Sequence, residues 1–234
     1  MSTFVLVPGA WLGAWAWQHV ARALKELGHR AHPVTLSGLG ERAADPVEKI
    51  GLNTHVADVH DAIASLRDVI LVGHSYAGIV TGMVAADAPQ TVTRAIFLDS
   101  NVPIDGRSMT DGFSQRGREL VRAQVTQAGG YWSVPDPEEF DGHGLTADQV
   151  AWLRDRCTPH PGQTLFDPAS LTRPLRELTA TYVHCVQPQM GRSDEVEALR
   201  DVPGWSFATL DTGHWPMVSQ PLALARLLHE IVSA

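Results

Sequence analysis

The sequence predicts an α/β fold built on a mostly parallel sheet of six strands, and three observations carry that reading. Short apolar runs alternate with amphipathic stretches of helical length from the first residues onward. Between Val69 and Gly78 the run Val-Ile-Leu-Val-Gly-His-Ser-Tyr-Ala-Gly is a strand, a sharp turn and the start of a helix. The alternation is interrupted once, from Val102 to Leu175, and then resumes. This divides the chain into a core of residues 1–101 and 176–234 and an insertion of residues 102–175.

The elements follow in order. Thr3–Val7 reads as a buried strand. Trp15–Leu27 is helical, with Val20, Leu24 and Leu27 on one face and Gly28 as the stop. His32–Leu36 is the second strand, and Ser37-Gly38-Leu39-Gly40 is a loop. Asn53 is placed to cap a helix through Leu66 whose inner stripe is Val56, Val59, Ile63 and Leu66. Val69–Val72 is the third strand, Tyr76–Ala88 the helix after it, and Arg94–Asp99 the fourth strand. The insertion is richer in Gly, Pro and Asp, and its pieces Phe113–Ala128 and Ala147–Arg156 suggest a helical layer over the sheet. Strand Ala180–Val186, a short helix near Asp194–Arg200, strand Trp205–Leu210 and a last helix from Pro216 to Val232 complete the pattern.

Bulk composition excludes several classes. The 234 residues are 44% hydrophobic and 19% charged, which is globular and not disordered. The net charge is −8 and Lys and Arg form no cluster, which argues against a nucleic-acid or anionic-membrane partner. No run approaches the ~20 apolar residues of a membrane helix. The start, Met1-Ser2-Thr3-Phe4-Val5-Leu6-Val7-Pro8, lacks a basic segment and reads as a strand, not a signal peptide. Cys157 and Cys185 have no metal-like spacing and are expected as free thiols in the cytoplasm. His55, Asp58, His60 and Asp61 are close in sequence but do not share one helical face, so they are expected as solvated residues and not metal ligands.

The turn Gly73-His74-Ser75-Tyr76-Ala77 matches Gly-x-Ser-x-small, the nucleophile elbow that lifts a serine hydroxyl above the end of a sheet. A serine needs a base, a group to orient the base, and donors for a developing oxyanion. Partners of an elbow serine follow in the chain order Ser, acid, His. His214, in the loop after the last strand, is therefore the expected base; His229, on the final helix, is expected to face solvent. The oxyanion donors are expected from the backbone of Tyr76, which follows the serine, and of Ala10, in the loop after the first strand. Gly9 lets that loop approach the serine. This chemistry calls for no metal or cofactor.

Taken together, Phe4-Val5-Leu6-Val7-Pro8-Gly9-Ala10-Trp11-Leu12-Gly13-Ala14-Trp15, Gly28-His29, Gly38-Leu39-Gly40, Gly73–Gly78, Phe97-Leu98-Asp99-Ser100-Asn101-Val102-Pro103 and Gly213-His214 resemble the α/β-hydrolase superfamily. Within it they resemble the branch of plant hydroxynitrile lyases, methyl salicylate esterases and small bacterial esterases. The resemblance implies helices on both faces of the sheet and a cap inserted after the strand that ends near Asp99. Many relatives carry the acid just after the penultimate strand, where this chain has Pro188; others carry it one strand earlier, where it has Asp99. Asp99 follows four apolar residues and needs a partner such as an imidazolium. It is the preferred acid, with Asp194, Glu195 and Asp211 as alternatives.

A lyase of this branch is expected to have Thr and Lys where this chain has Gly9 and Trp215. Without that ammonium, departing cyanide has no stabilising charge. The expected activity is therefore carboxylester hydrolysis (EC 3.1.1 class) through an acyl-enzyme, on a small apolar or aromatic ester. A ligand-binding protein with vestigial chemistry is the other class of reading. Gly9, Trp11, Trp132, Phe166 and Trp215 are the expected pocket residues. The expected partner is the small ester, with a homodimer left open.

Overall fold

A computed structural model describes residues 1–188 and 191–233. The elements, in chain order, are β1 (Thr3–Val7), α1 (Gln18–Glu26), β2 (Arg30–Pro33), α2 (Leu52–Ile63), β3 (Val69–His74), α3 (Ala77–Asp87), β4 (Val92–Leu98), α4 (Gln115–Gln127), β5 (Tyr131–Trp132), α5 (Ala147–Arg156), β6 (His160–Pro161), β7 (Ala180–Cys185), α6 (Asp194–Glu197), β8 (Trp205–Leu210), α7 (Pro216–Ser219) and α8 (Pro221–Ser233). Six strands form one sheet in the order β2-β1-β3-β4-β7-β8. Every neighbouring pair in it is parallel.

Period-two alternation explains how the sheet divides the core. Phe4 and Leu6 of β1, Ile70 and Val72 of β3, and Ile96 and Leu98 of β4 join Val20, Leu24, Leu224 and Leu228 of α1 and α8 in one apolar layer. Val5 and Val7, Val69 and Leu71, and Ala95 and Phe97 join Val59 and Ile63 of α2 and Val80 and Val84 of α3 in the other. Residues Ala77 to Ala86 of α3 are all buried, because the insertion covers its outer face. A side chain at Gly82, for example, would run into Pro103.

The expected boundaries shift where tertiary contacts override local pattern. β2 lies at residues 30–33, not His32–Leu36: pairing with β1 ends when Val34 N–H reaches Leu6. Pro33 sits on this edge strand, where a missing donor is tolerated. α2 starts at Leu52, one residue before the expected cap, because the distant Asp167 carboxylate accepts the Leu52 N–H at 2.9 Å. The stretch Ala14–Trp17 is a separate tight turn before α1. The expected last helix is two, since Pro221 cannot continue the hydrogen bonding of α7.

The segment between β4 and β7 is not purely helical. β5 and β6 pair antiparallel within it. It feeds both apolar layers, Phe140 and Leu153 entering one and Leu165 and Ala169 the other. No helix among the described residues is long and apolar enough to cross a membrane.

Candidate active site

The sheet order reverses between β1 and β3, and in open parallel sheets ligands bind outside the carboxyl ends of strands at such a point. β3 ends at His74 and α3 begins at Ala77, so Ser75 occupies the bend with φ at 54°. A non-glycine residue in this region is strained. The surroundings hold it there. Ser75 N–H donates to Leu98 O at 3.2 Å, and Ser75 O accepts from Gly78 and Asn101 N–H at 3.1 and 3.2 Å. A Cβ at Gly73 would strike the Thr81 side chain and the Ala77 carbonyl; one at Gly78 would strike Ser100 and the Asn101 carbonyl. The strand–helix approach is closed to larger residues at both places.

Three side chains from different strand ends meet here. Ser75 Oγ lies 2.9 Å from His214 Nε2. His214 Nδ1 lies 2.6 Å from Asp99 Oδ2. The carboxylate can only accept, so the proton is on Nδ1 and the Nε2 lone pair faces the serine hydroxyl. Asp99 Oδ1 accepts Cys185 N–H at 3.1 Å, and His184 Nδ1 is 3.5 Å away. Burial pushes the Asp99 carboxyl up, but the His214 hydrogen bond and charge, then the Cys185 N–H, outweigh it and hold it below the usual carboxylate range. Asp99 has φ at 43°, a second strained residue in the same cluster. The alternative acids lie elsewhere: Asp211 accepts from Gln187 Nε2 at 2.7 Å, Asp194 opens α6, and Glu195 lines a separate cavity. Gln189 and Met190, the end of the segment that begins at Cys185, are outside the described residues.

The loop after β1 presses against the elbow. A Cβ on Gly9 would lie 2.8 Å from His74 Nδ1 and 2.9 Å from Ser75 Cβ. Ala10 and Tyr76 are buried, yet among the described residues neither backbone N–H has a protein acceptor. Trp11, with φ at 65°, packs against Trp132 with ring centroids 4.2 Å apart and planes tilted by 46°, and its indole N–H donates to the Trp132 carbonyl at 3.2 Å. Thr158 N–H donates to Trp11 O, a second tie between this loop and the insertion.

A cavity of about 400 Å³ opens on Ser75 and His214. Its wall mixes polar and apolar groups: His143, His184, Gln187 and Arg192 contribute alongside Tyr182, Pro188 and Trp215. Of the five expected pocket residues only Trp215 lines it. Gly9, Trp11 and Trp132 belong to the loop contact just described. Phe166 faces a different part of the surface, under the Arg122 guanidinium at 4.4 Å, because its segment folds back onto α4. A smaller cavity, about 160 Å³, shares Asn101 and Ser193 with the first and is mixed, with Val102, Pro103, Ile104, Met109 and Phe113 on its wall beside Arg107, Ser108 and Glu195.

Four histidines behave differently from the sequence expectation or were not singled out by it. His55 is fully buried and not solvated: its Nε2–H donates to Ser37 O and its Nδ1 accepts from Tyr76 OH, both at 2.9 Å. Burial lowers its pKa to about 4. Asp58 pairs with Arg42 and His60 with Asp87, so this group disperses to separate partners. His229 is half-buried and meets His29 at 2.9 Å. His74 donates from Nε2 to the His214 carbonyl, a 2.6 Å contact, and burial lowers its pKa to about 3. His143 stands beside His214 and was legible only as a histidine between two glycines, Gly142 and Gly144.

The alpha/beta hydrolase family profile matches residues 4–227. The chain belongs to the alpha/beta hydrolase family. It is 32% identical to a carbendazim hydrolyzing esterase of Nocardioides sp. (strain SG-4G), over 97% of this chain and 98% of that one. It is 32% identical to putative methylesterase 14, chloroplastic, of Arabidopsis thaliana, over 99% of this chain and 72% of that one. Among solved structures, an extracellular alpha/beta-hydrolase from a Paenibacillus species, described as homologous to tobacco Salicylic Acid Binding Protein 2, superposes with a TM-score of 0.87 at 24% identity. That match covers 98% of each chain. Polyneuridine aldehyde esterase superposes at 0.78 and 19% identity, over 99% of each chain. This alpha/beta hydrolase is of the carboxylesterase type.

Proposed function

We propose that the protein is a serine esterase that cleaves a small carboxylic ester carrying an apolar or aromatic portion, through an acyl-enzyme on Ser75. The observation that carries the reading is the unbroken hydrogen-bonded line from Ser75 Oγ through the His214 ring to Asp99. Ser75 Oγ attacks the ester carbonyl carbon while His214 Nε2 takes the hydroxyl proton. Asp99 remains a carboxylate and stabilises the imidazolium. The carbonyl oxygen, now an oxyanion, accepts from the Ala10 and Tyr76 N–H groups. His214 then returns the proton to the leaving alcohol, and the acyl group stays on Ser75. A water molecule, deprotonated by His214, repeats the sequence and releases the acid.

The insertion, residues 102–175, acts as a cap over this centre. The apolar side chains Val102, Ile104, Met109 and Phe113 on the smaller cavity's wall suit the hydrocarbon part of the ester, and the polar side chains beside Ser75 suit a hydrogen-bonding part. Trp11 and Trp132 form an apolar wall beside the oxyanion loop. Cyanide release by a lyase route has no support from Trp215, which follows the base and carries no charge. The free Cys157 and Cys185 thiols fit a cytoplasmic setting.

Stopped-flow hydrolysis of a short p-nitrophenyl ester tests the reading, with a panel of methyl esters to define the substrate. A p-nitrophenol burst stoichiometric with enzyme is expected, absent in Ser75→Ala. A fluorophosphonate probe should add one mass increment at Ser75. Folded protein with neither burst nor adduct would mean a ligand-binding protein on a hydrolase scaffold.

A further inference from the structure

We propose that His143, from the insertion, is a positioning residue that fixes the backbone of the base by accepting the His214 N–H. The proposal rests on the reading of His214 as the base. Both peptide groups that flank the His214 Cα are held by a histidine. The buried His74 donates from Nε2 to the His214 carbonyl at 2.6 Å. His143 Nδ1 accepts the His214 N–H at 3.2 Å. The two histidines do opposite jobs, one as donor and one as acceptor; both carry a proton on Nε2, and the acceptor job of His143 requires a neutral ring. Burial, then the neighbouring His214, lowers the pKa of His143, which keeps it neutral.

The approach is close. A Cβ on Gly213 would strike the His143 carbonyl and Cα, so the loop before the base and the insertion touch backbone to backbone. Trp215, the residue after the base, packs edge-on against the His143 ring at 4.9 Å. His143 therefore meets three successive residues, Gly213, His214 and Trp215. Docking of the insertion and alignment of the base become one event. The His143 ring also lines the cavity that holds Ser75, and its Nε2 has no partner among the described residues. A direct contact to substrate through Nε2 is thus the rival role, and amide variants separate the two. Asparagine places a side-chain oxygen near the Nδ1 position, whereas glutamine places a polar atom near the Nε2 position.

The experiment measures kcat, KM and the fluorophosphonate inactivation rate for His143→Phe, His143→Asn and His143→Gln, with circular dichroism as the check on folding. His143→Phe is expected to lower both kcat and the inactivation rate about tenfold, the worth of one partly buried hydrogen bond, with KM changed little. His143→Asn should recover most of both rates, and His143→Gln should not. Should His143→Phe fail to fold, the comparison of Asn with Gln still decides. Recovery by Gln but not Asn, equal loss in all three, or a Phe variant as fast as the parent would each overturn the proposal. Failure of the underlying reading looks different: the parent protein itself would then show no Ser75-dependent inactivation.

Discussion

Replacing Asp99 by asparagine tests the site most sharply, because shape is conserved and only the polarity of one group changes. Asp99 accepts two hydrogen bonds, from His214 Nδ1 at 2.6 Å and from Cys185 N–H at 3.1 Å. An amide has one oxygen to offer. If that oxygen faces Cys185, the NH₂ faces His214 and donates to Nδ1. The imidazole proton then moves to Nε2, where it points at Ser75 and no base remains. The flipped amide keeps the working tautomer but sets NH₂ against the buried Cys185 N–H, an arrangement that costs about 1–3 kcal/mol. That cost alone leaves roughly 1–20% of molecules competent at ~1.4 kcal/mol per factor of ten. The competent fraction also loses the negative charge opposite the imidazolium. Together these give an expected fall in kcat of about 10³–10⁴-fold, or ~4–5.5 kcal/mol, the scale seen when a serine triad loses its acid. Steady-state hydrolysis of a p-nitrophenyl ester measures it, with circular dichroism and the thermal midpoint to confirm folding. A folded Asp99→Asn variant within fivefold of the parent would refute the reasoning and return the choice of acid to other carboxylates.

Two further expectations follow from the same geometry. Gly9→Ala places a methyl group 2.8 Å from His74 Nδ1 and 2.9 Å from Ser75 Cβ, so the loop with the Ala10 N–H must retreat. The expected result is a kcat about 10- to 100-fold lower with KM little changed, and an unaltered kcat would sink the assignment of Ala10. Stability is expected to fall as pH drops below the unfolded histidine value of ~6.5, because His55 and His74 stay neutral in the fold until about 4 and about 3. Their folded pKa values are depressed, so the unfolded chain binds more protons in that window and stability rises with pH across it. Urea melts at several pH values should show His55→Gln, which keeps a donor for Ser37 but cannot titrate, with a slope smaller by about one proton. An unchanged slope would show that His55 does not contribute.

The sheet was legible because its information is local. Apolar alternation in β1, β3 and β4 sorts their residues between two layers, and that sorting follows directly from a period of two. β8 lies at the residues expected, and so does α5 within the insertion. The elbow was equally plain, since a bend that tight admits only small neighbours, and Gly73, Ala77 and Gly78 are visible as letters. Boundaries failed where a distant group intervened. The helix start at Leu52 depends on Asp167, 115 residues away, as well as on the local bond from Gly51 N–H to the Thr54 hydroxyl. His55 misled because periodicity places a residue on a helix face but not what packs there, while Asp61 is exposed as expected. The pocket residues were the least legible, and Phe166 faces Arg122 because of how its segment returns to α4.

Residue order alone determined the α/β class, the bend at Ser75 and the late histidine, because strand period, turn size and chain order are written in short stretches. Tertiary structure decided which carboxylate meets His214, which histidines bond its two flanking peptide groups, and which side chains line the cavity. Those outcomes depend on side chains from separate strand ends and from the insertion converging within 3 or 4 Å, a distance relation between remote residues that no local pattern encodes.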